Sequence, residues 1–178
     1  DGTNYCGWQV QPNGITIEGV LNRELSKLLK EDIVVIGASR TDSGVHSYGN
    51  VAVFDTNARM PAEKISYALN QRLPDDIVVQ NSSEIPLDWH PRHCNSRKTY
   101  EYRILNREFP MPQRRLDTWF VYRKLNIPAM CEAAEQFEGT HDFKSFCSVN
   151  TAVEDTTRTI YSCELKQDGE LLTIRITG

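Results

Sequence analysis

The chain has 178 residues, 39% apolar and 25% charged, with a net charge of −4. Those totals suit a soluble globular protein of one large domain or two small ones; no apolar run is long enough to span a bilayer and no signal-peptide pattern opens the chain. Five cysteines, an odd number with no C-x-x-C pair, argue against zinc and against a disulfide framework, and fit reduced thiols in the cytoplasm.

Residues 1–14 are turn-rich, with Tyr5 and Trp8 as aromatic anchors. Thr16 reads as a helix N-cap, and Ile17, Val20, Leu21, Leu25, Leu28 and Leu29 follow at the spacing of one apolar helix face. Asp32 to Ala38 reads as a buried strand and Asn50 to Asp55 as a second. Pro61 suits the first turn of a helix whose face is Ile65, Ala68, Leu69 and Leu73 and which Pro74 ends. Ile77 to Gln80 reads as a third strand. Helix, strand, strand, helix, strand is most of a split βαβ unit lacking its first strand, so the termini are expected to be truncated, at Gly178 as well as at Asp1.

Polar, irregular chain follows. Lys98 to Leu105 alternates, with Tyr100, Tyr102 and Ile104 on one side and Thr99, Glu101 and Arg103 on the other. Thr118 to Tyr122 reads as a short strand. Asn126 can cap a helix through Ile127, Met130, Ala134 and Phe137 that Gly139 closes. Thr156 to Leu165 and Glu170 to Thr177 read as strands joined at a hairpin near Asp168-Gly169. The expected organisation is an N-terminal α+β half over 1–84, a linker over 85–97 and a C-terminal α+β half with an antiparallel sheet over 98–178.

Charge is unevenly spread. Between His90 and Arg115 seven Arg and Lys side chains stand against two Glu, so the acidic excess lies elsewhere. A basic segment on an acidic body reads either as a nucleic-acid footprint or as a solvated face.

The most chemical stretch is Gly37 to Asn50, a polar, glycine-bearing loop between two apolar runs with one carboxylate, Asp42, at its centre. Asp42 fits an ordinary surface loop. Asp42-Ser43-Gly44 also matches the triplet of a dimeric aspartic protease, although Arg40 nearby opposes a proton shared between two carboxylates. A third reading is a lone catalytic carboxylate. Aspartate at its ordinary pKa of about 4 is ionised at neutral pH and can attack carbon or take a proton with no metal or cofactor. Arg40 would then serve substrate phosphates and Tyr100 would stack on a planar base.

Arg40-Thr41-Asp42-Ser43-Gly44-Val45-His46 resembles the Arg-Thr-Asp-x-Gly-Val-His motif of the TruA-type tRNA pseudouridine synthases. Asp1-Gly2-Thr3-Asn4-Tyr5-Cys6-Gly7-Trp8-Gln9 is similar to that family's opening motif, and Asn70 to Ile77 to its Asn-x-x-Leu-Pro-x-Asp-Ile stretch. Trp89-His90-Pro91-Arg92, Lys98-Thr99-Tyr100-Glu101-Tyr102 and His141-Asp142-Phe143 stand in the places of three more. Ser39 replaces a usual Gly, Ser43 and Ser47 usual alanines, and Pro91 a small residue.

The resemblance implies the pseudouridine synthase fold, two ferredoxin-like halves about a central antiparallel sheet. It implies isomerisation of uridine to pseudouridine at positions 38, 39 and 40 of the tRNA anticodon stem-loop, by a homodimer that needs no cofactor. Asp42 falls on the catalytic aspartate, Tyr100 on the tyrosine that packs against the target base, and Arg40 on an arginine beside the flipped-out nucleotide. His90, Arg92, Arg97 and Lys98 are then expected at RNA phosphates, and His46 as a buttress of the loop through its ring. A non-catalytic tRNA-binding or RNA-chaperone protein on the same fold is the alternative, which a carboxylate at the centre of the surface disfavours.

Overall fold

The computed structural model describes residues 1–149 and 153–178, and they form two compact units, Asp1–Asn95 and Ser96–Gly178. Both mix helices with strands, as expected of an α+β chain.

In the first unit, α1 (Ile17–Leu29) begins where Thr16 accepts the Gly19 N–H at 3.2 Å and ends at Lys30 in the left-handed conformation. Its face of Val20, Leu21, Leu25 and Leu29 is buried. The second helix, α2 (Ala62–Asn70), starts after Pro61 and buries Ile65 and Leu69. These faces meet Tyr5, Trp8, Ile33, Val35 and Ile77 in one core. Burying each such side chain contributes about 1.5–3 kcal/mol, so this cluster is the main source of the unit's stability.

The strands here are shorter than the apolar runs suggest. Only β1 (Ile36–Gly37) and β2 (Ala52–Val53) pair, antiparallel, Ile36 opposite Val53. The expected strand over Asp32 to Ala38 is extended and buried on one face only: Ile33 and Val35 are inside, whereas Val34 is 70% exposed. Its backbone is served by side chains of α1, with Ile33 N–H donating to Ser26 Oγ at 2.9 Å and Val35 N–H to Asn22 Oδ1 at 2.8 Å. Ile77 to Gln80 forms no ladder strand either. The Asn70 side chain bonds both the N–H and the C=O of Val79, each at 2.8 Å, and takes the place of a partner strand. A buried backbone group needs a partner, and a side-chain amide satisfies it as well as a strand does.

The second unit is built on longer ladders. Strand β3 (Thr99–Asn106) is central, with β8 (Leu171–Thr177) antiparallel on one side and β4 (Trp119–Val121) on the other; β7 (Ser162–Asp168) extends the sheet beyond β8. The β3–β4 pair is parallel, a departure from the all-antiparallel expectation: the segment between them crosses over through a single 3-10 turn at Pro112–Arg114 and re-enters in the same direction. Helix α3 (Ile127–Glu135) is capped by Asn126, packs toward β7 and buries Ala134. A separate two-stranded ladder joins β5 (Gly139–Asp142) and β6 (Thr157–Ile160). The single strand expected over Thr156 to Leu165 therefore breaks at Tyr161, whose N–H turns to the carbonyl of Thr177 at 2.7 Å. The β7–β8 hairpin turns at Asp168-Gly169, with Gly169 in the left-handed region.

Candidate active site

Asp42 opens a tight turn. Val45 N–H donates to the Asp42 carbonyl at 3.2 Å, and Gly44, at φ +77°, supplies the left-handed residue such a turn requires. The loop's base is closed by Asn50, which accepts the Ser39 N–H at 3.3 Å and donates to the Ser39 carbonyl at 3.0 Å.

Beneath the turn runs the N-terminal segment, residues 2–8, bound to the loop along its length. Trp8 N–H donates to the Thr41 carbonyl at 3.0 Å. The Tyr5 carbonyl accepts Gly44 N–H at 3.1 Å and the Ser43 hydroxyl at 3.3 Å. Gly2 N–H donates to His46 Nδ1 at 3.1 Å, and the same nitrogen lies 3.0 Å from an Asp1 carboxylate oxygen. At Gly7, φ is +79° and a β-carbon would stand 2.4 Å from the Thr41 carbonyl oxygen, so only glycine lets the two backbones approach. Thr41, Ser43 and Gly44, on either side of Asp42, are thus bonded to the N-terminal segment while Asp42 itself is exposed.

Asp42 forms no ion pair among the described residues, and Arg40 beside it is exposed. A carboxylate exposed on a hydrogen-bonded turn, and in no ion pair among the described residues, is available to a substrate atom. Arg92 Nε donates to the Gly37 carbonyl at 2.9 Å, which ties residues 90–94 to the start of the loop. His90 Nδ1 accepts the Arg92 N–H at 3.2 Å, and its ring stacks on His93 with centroids 4.3 Å apart.

The remaining candidates belong to the second unit. Tyr100 lies opposite Ile176 on β3 and is 57% exposed, a ring half free to stack. Arg97 lies over the Tyr161 ring, its guanidinium carbon 4.1 Å from the centroid. Lys98 pairs through its backbone with Gly178, both N–H and C=O. On the other face of β3, Glu101 is clamped by Arg103 Nε at 2.8 Å and Arg175 Nη2 at 2.6 Å, which hold its carboxyl below the usual range, the Arg175 bond being the larger cause. Among the described residues no three His, Cys, Asp or Glu side chains gather as metal ligands.

The family model described as tRNA pseudouridine synthase matches residues 1–93 and 133–178. Proteins named tRNA pseudouridine synthase A from Thermoanaerobacter sp. (strain X514), Citrifermentans bemidjiense and Clostridium acetobutylicum are similar along almost all of the chain. They are 44%, 45% and 44% identical to it, over 99–100% of its length and 71–73% of theirs.

The chain belongs to the tRNA pseudouridine synthase family.

Membership sets aside the acid-protease reading of Asp42-Ser43-Gly44. Sequence reasoning found the turn but missed what holds it. Tyr5, Gly7 and Asp76 stand in motifs the sequence displays, but the contacts they make are not marked there: Tyr5 meets Asp76 across 71 positions, Gly7 admits the Thr41 carbonyl, and Asn50 bonds the Ser39 backbone.

Proposed function

We propose that the chain isomerises uridine to pseudouridine in tRNA with Asp42 as the catalytic carboxylate, and that its targets are positions 38, 39 and 40 of the anticodon stem-loop. The observation behind the assignment is the Asp42 turn: one exposed, ion-pair-free carboxylate held on a main-chain track of 3.0–3.3 Å hydrogen bonds.

The chemistry is balanced without a co-reactant. The bond from the ribose C1′ to uracil N1 breaks, the ring turns, and a C1′–C5 bond forms. The proton on C5 leaves to solvent and N1 gains one. Nothing is oxidised or reduced, so one ionised carboxylate, a pocket that excludes water and a surface that grips the flipped nucleotide suffice. Flipping costs a few kcal/mol. The half-exposed Tyr100 ring offsets part of it by stacking, and Arg40 meets the phosphate of the displaced nucleotide. His90, Arg92, Arg97 and Lys98 supply further cationic or hydrogen-bonding contacts to the RNA. Arg92 and Arg97 are already oriented, by the Gly37 carbonyl and by the Tyr161 ring, and remain exposed. The resemblance adds a cytoplasmic homodimer that binds one tRNA across both subunits.

Tritium release from tRNA labelled at uracil C5 tests the reaction, and chemical mapping of pseudouridine in the product tests the positions. Release with new pseudouridine at 38, 39 or 40 is expected. Tight tRNA binding with no release would favour the non-catalytic RNA-binding reading.

A further inference from the structure

The Asp42 turn rests on residues 2–8, and those residues rest on Asp76. We propose that Tyr5 is a positioning residue for the isomerisation: its hydroxyl is anchored on Asp76, and its carbonyl holds the two residues that follow Asp42. The proposal rests on the reading of Asp42 as the catalytic carboxylate.

Both ends of Tyr5 are engaged. The carbonyl oxygen takes Gly44 N–H and Ser43 Oγ–H together, at 3.1 and 3.3 Å. Ser43 stands where the family pattern has alanine, so the hydroxyl gives this chain a second bond to the same oxygen. The ring is 6% exposed, and its hydroxyl lies 2.5 Å from Asp76 Oδ1. Asn4 Nδ2 donates to Asp76 Oδ2 at 3.2 Å, so both carboxylate oxygens hold adjacent residues of the N-terminal segment. Asp76 in turn sits on a turn closed by Ile77 N–H to the Pro74 carbonyl at 3.0 Å, and Ile77 is buried in the core. A continuous path therefore runs from the core through Ile77, Asp76 and the Tyr5 ring to the backbone of the catalytic turn.

The protonation states suit this task. Burial, reinforced by Asp76, pushes the Tyr5 hydroxyl up to about 12, and the hydrogen bond from Tyr5 holds the Asp76 carboxyl below the usual range. The donor stays protonated and the acceptor ionised throughout the neutral range, so the link persists wherever the enzyme works. Tyr5 touches no reacting atom. It acts on where the Asp42 carboxylate stands, and a shift of about 1 Å there can cost up to about 100-fold in rate.

A purely structural tyrosine predicts something different, and the full chain distinguishes the two. Tyr5→Phe keeps the ring's shape and removes only the anchor; Asp76→Asn keeps a neutral acceptor. Tritium release is followed with enzyme in saturating excess over tRNA, where unfolded chain lowers the effective concentration but not the saturating rate constant. The expected result for Tyr5→Phe is a rate constant lower by about tenfold with tRNA Kd within about twofold, the pattern of lost transition-state positioning. Asp76→Asn should lose less, about threefold, and the double variant should be no slower than Tyr5→Phe alone, because both changes sever one link. A Tyr5→Phe rate constant within about twofold of wild type, or losses that multiply in the double variant, would overturn the proposal. Where Asp76→Asn fails to fold, the Tyr5→Phe rate constant decides alone. Turnover retained in Asp42→Asn would sink the underlying reading instead, whatever Tyr5→Phe does.

Discussion

The two units keep their backbones in place by different means. In residues 1–95 the only paired strands are two residues long each, and side chains do much of the work of a ladder: Asn22 and Ser26 for residues 33–35, Asn70 for Val79, Asn50 for Ser39. In residues 96–178 order comes from repeating backbone pairs, seven between β3 and β8 and seven between β8 and β7. The catalytic candidate belongs to the first kind of structure and the base-stacking candidate Tyr100 to the second. A loop held by individual bonds places one carboxylate closely and tolerates little change. A long ladder presents a ring on a surface and tolerates much.

Glycine substitutions should break that comparison most sharply. Gly7→Ala sets a β-carbon against the Thr41 carbonyl at a left-handed φ, and strain of that kind costs about 1–3 kcal/mol or moves the turn. Turnover should fall by tenfold or more, on the order of the loss expected from misplacing a reacting group. Gly169→Ala, in the β7–β8 hairpin, has the same sign of φ but open space around it. It should cost about 1 kcal/mol in a urea titration and leave turnover unchanged.

A smaller effect belongs to the ladder. Glu101→Gln removes the charge that Arg175 and Arg103 share, and should lower stability by about 1–2 kcal/mol at neutral pH. The folded carboxyl is depressed, so its contribution is present above the unfolded value of about 4.3 and is lost as pH falls below it. Urea midpoints measured from pH 6 downward should therefore fall less steeply in the variant than in wild type.

The narrowest effect on stability, confined to alkaline pH, comes from the titration of Tyr5. Its folded pKa is raised, so the stabilisation it supplies is complete below the unfolded value of about 10 and disappears as pH rises toward about 12. Tyr5→Phe should remove that part of the alkaline loss of stability, readable in urea midpoints between those limits.

Much of this was legible in the chain. Thr16 and the apolar spacing of Ile17 to Leu29 specify α1, the alternation of Lys98 to Leu105 specifies β3, and Asp168-Gly169 specifies the hairpin. The strand read over Asp32 to Ala38 shrinks to Ile36–Gly37, and that over Ile77 to Gln80 forms no ladder, for a physical reason. Apolar, β-branched runs report burial and extension, but the partner that satisfies the backbone is chosen by distant side chains such as Asn22 and Asn70. The Asp42 turn announced itself through its polar, glycine-bearing composition. Its support did not, because the Tyr5 and Thr41 carbonyls that hold it are groups every residue owns, and Tyr5 meets Asp76 only in the folded chain.

The central claim is that Asp42 performs the chemistry and does not hold the RNA. Asp42→Asn, assayed beside wild type for tritium release from uracil-labelled tRNA and for tRNA affinity, tests it most directly. The account predicts turnover lower by at least about 1,000-fold, the loss expected when a reacting group is removed, with affinity unchanged to within a few-fold. Turnover that survives the substitution, or affinity that collapses with it, would contradict the account.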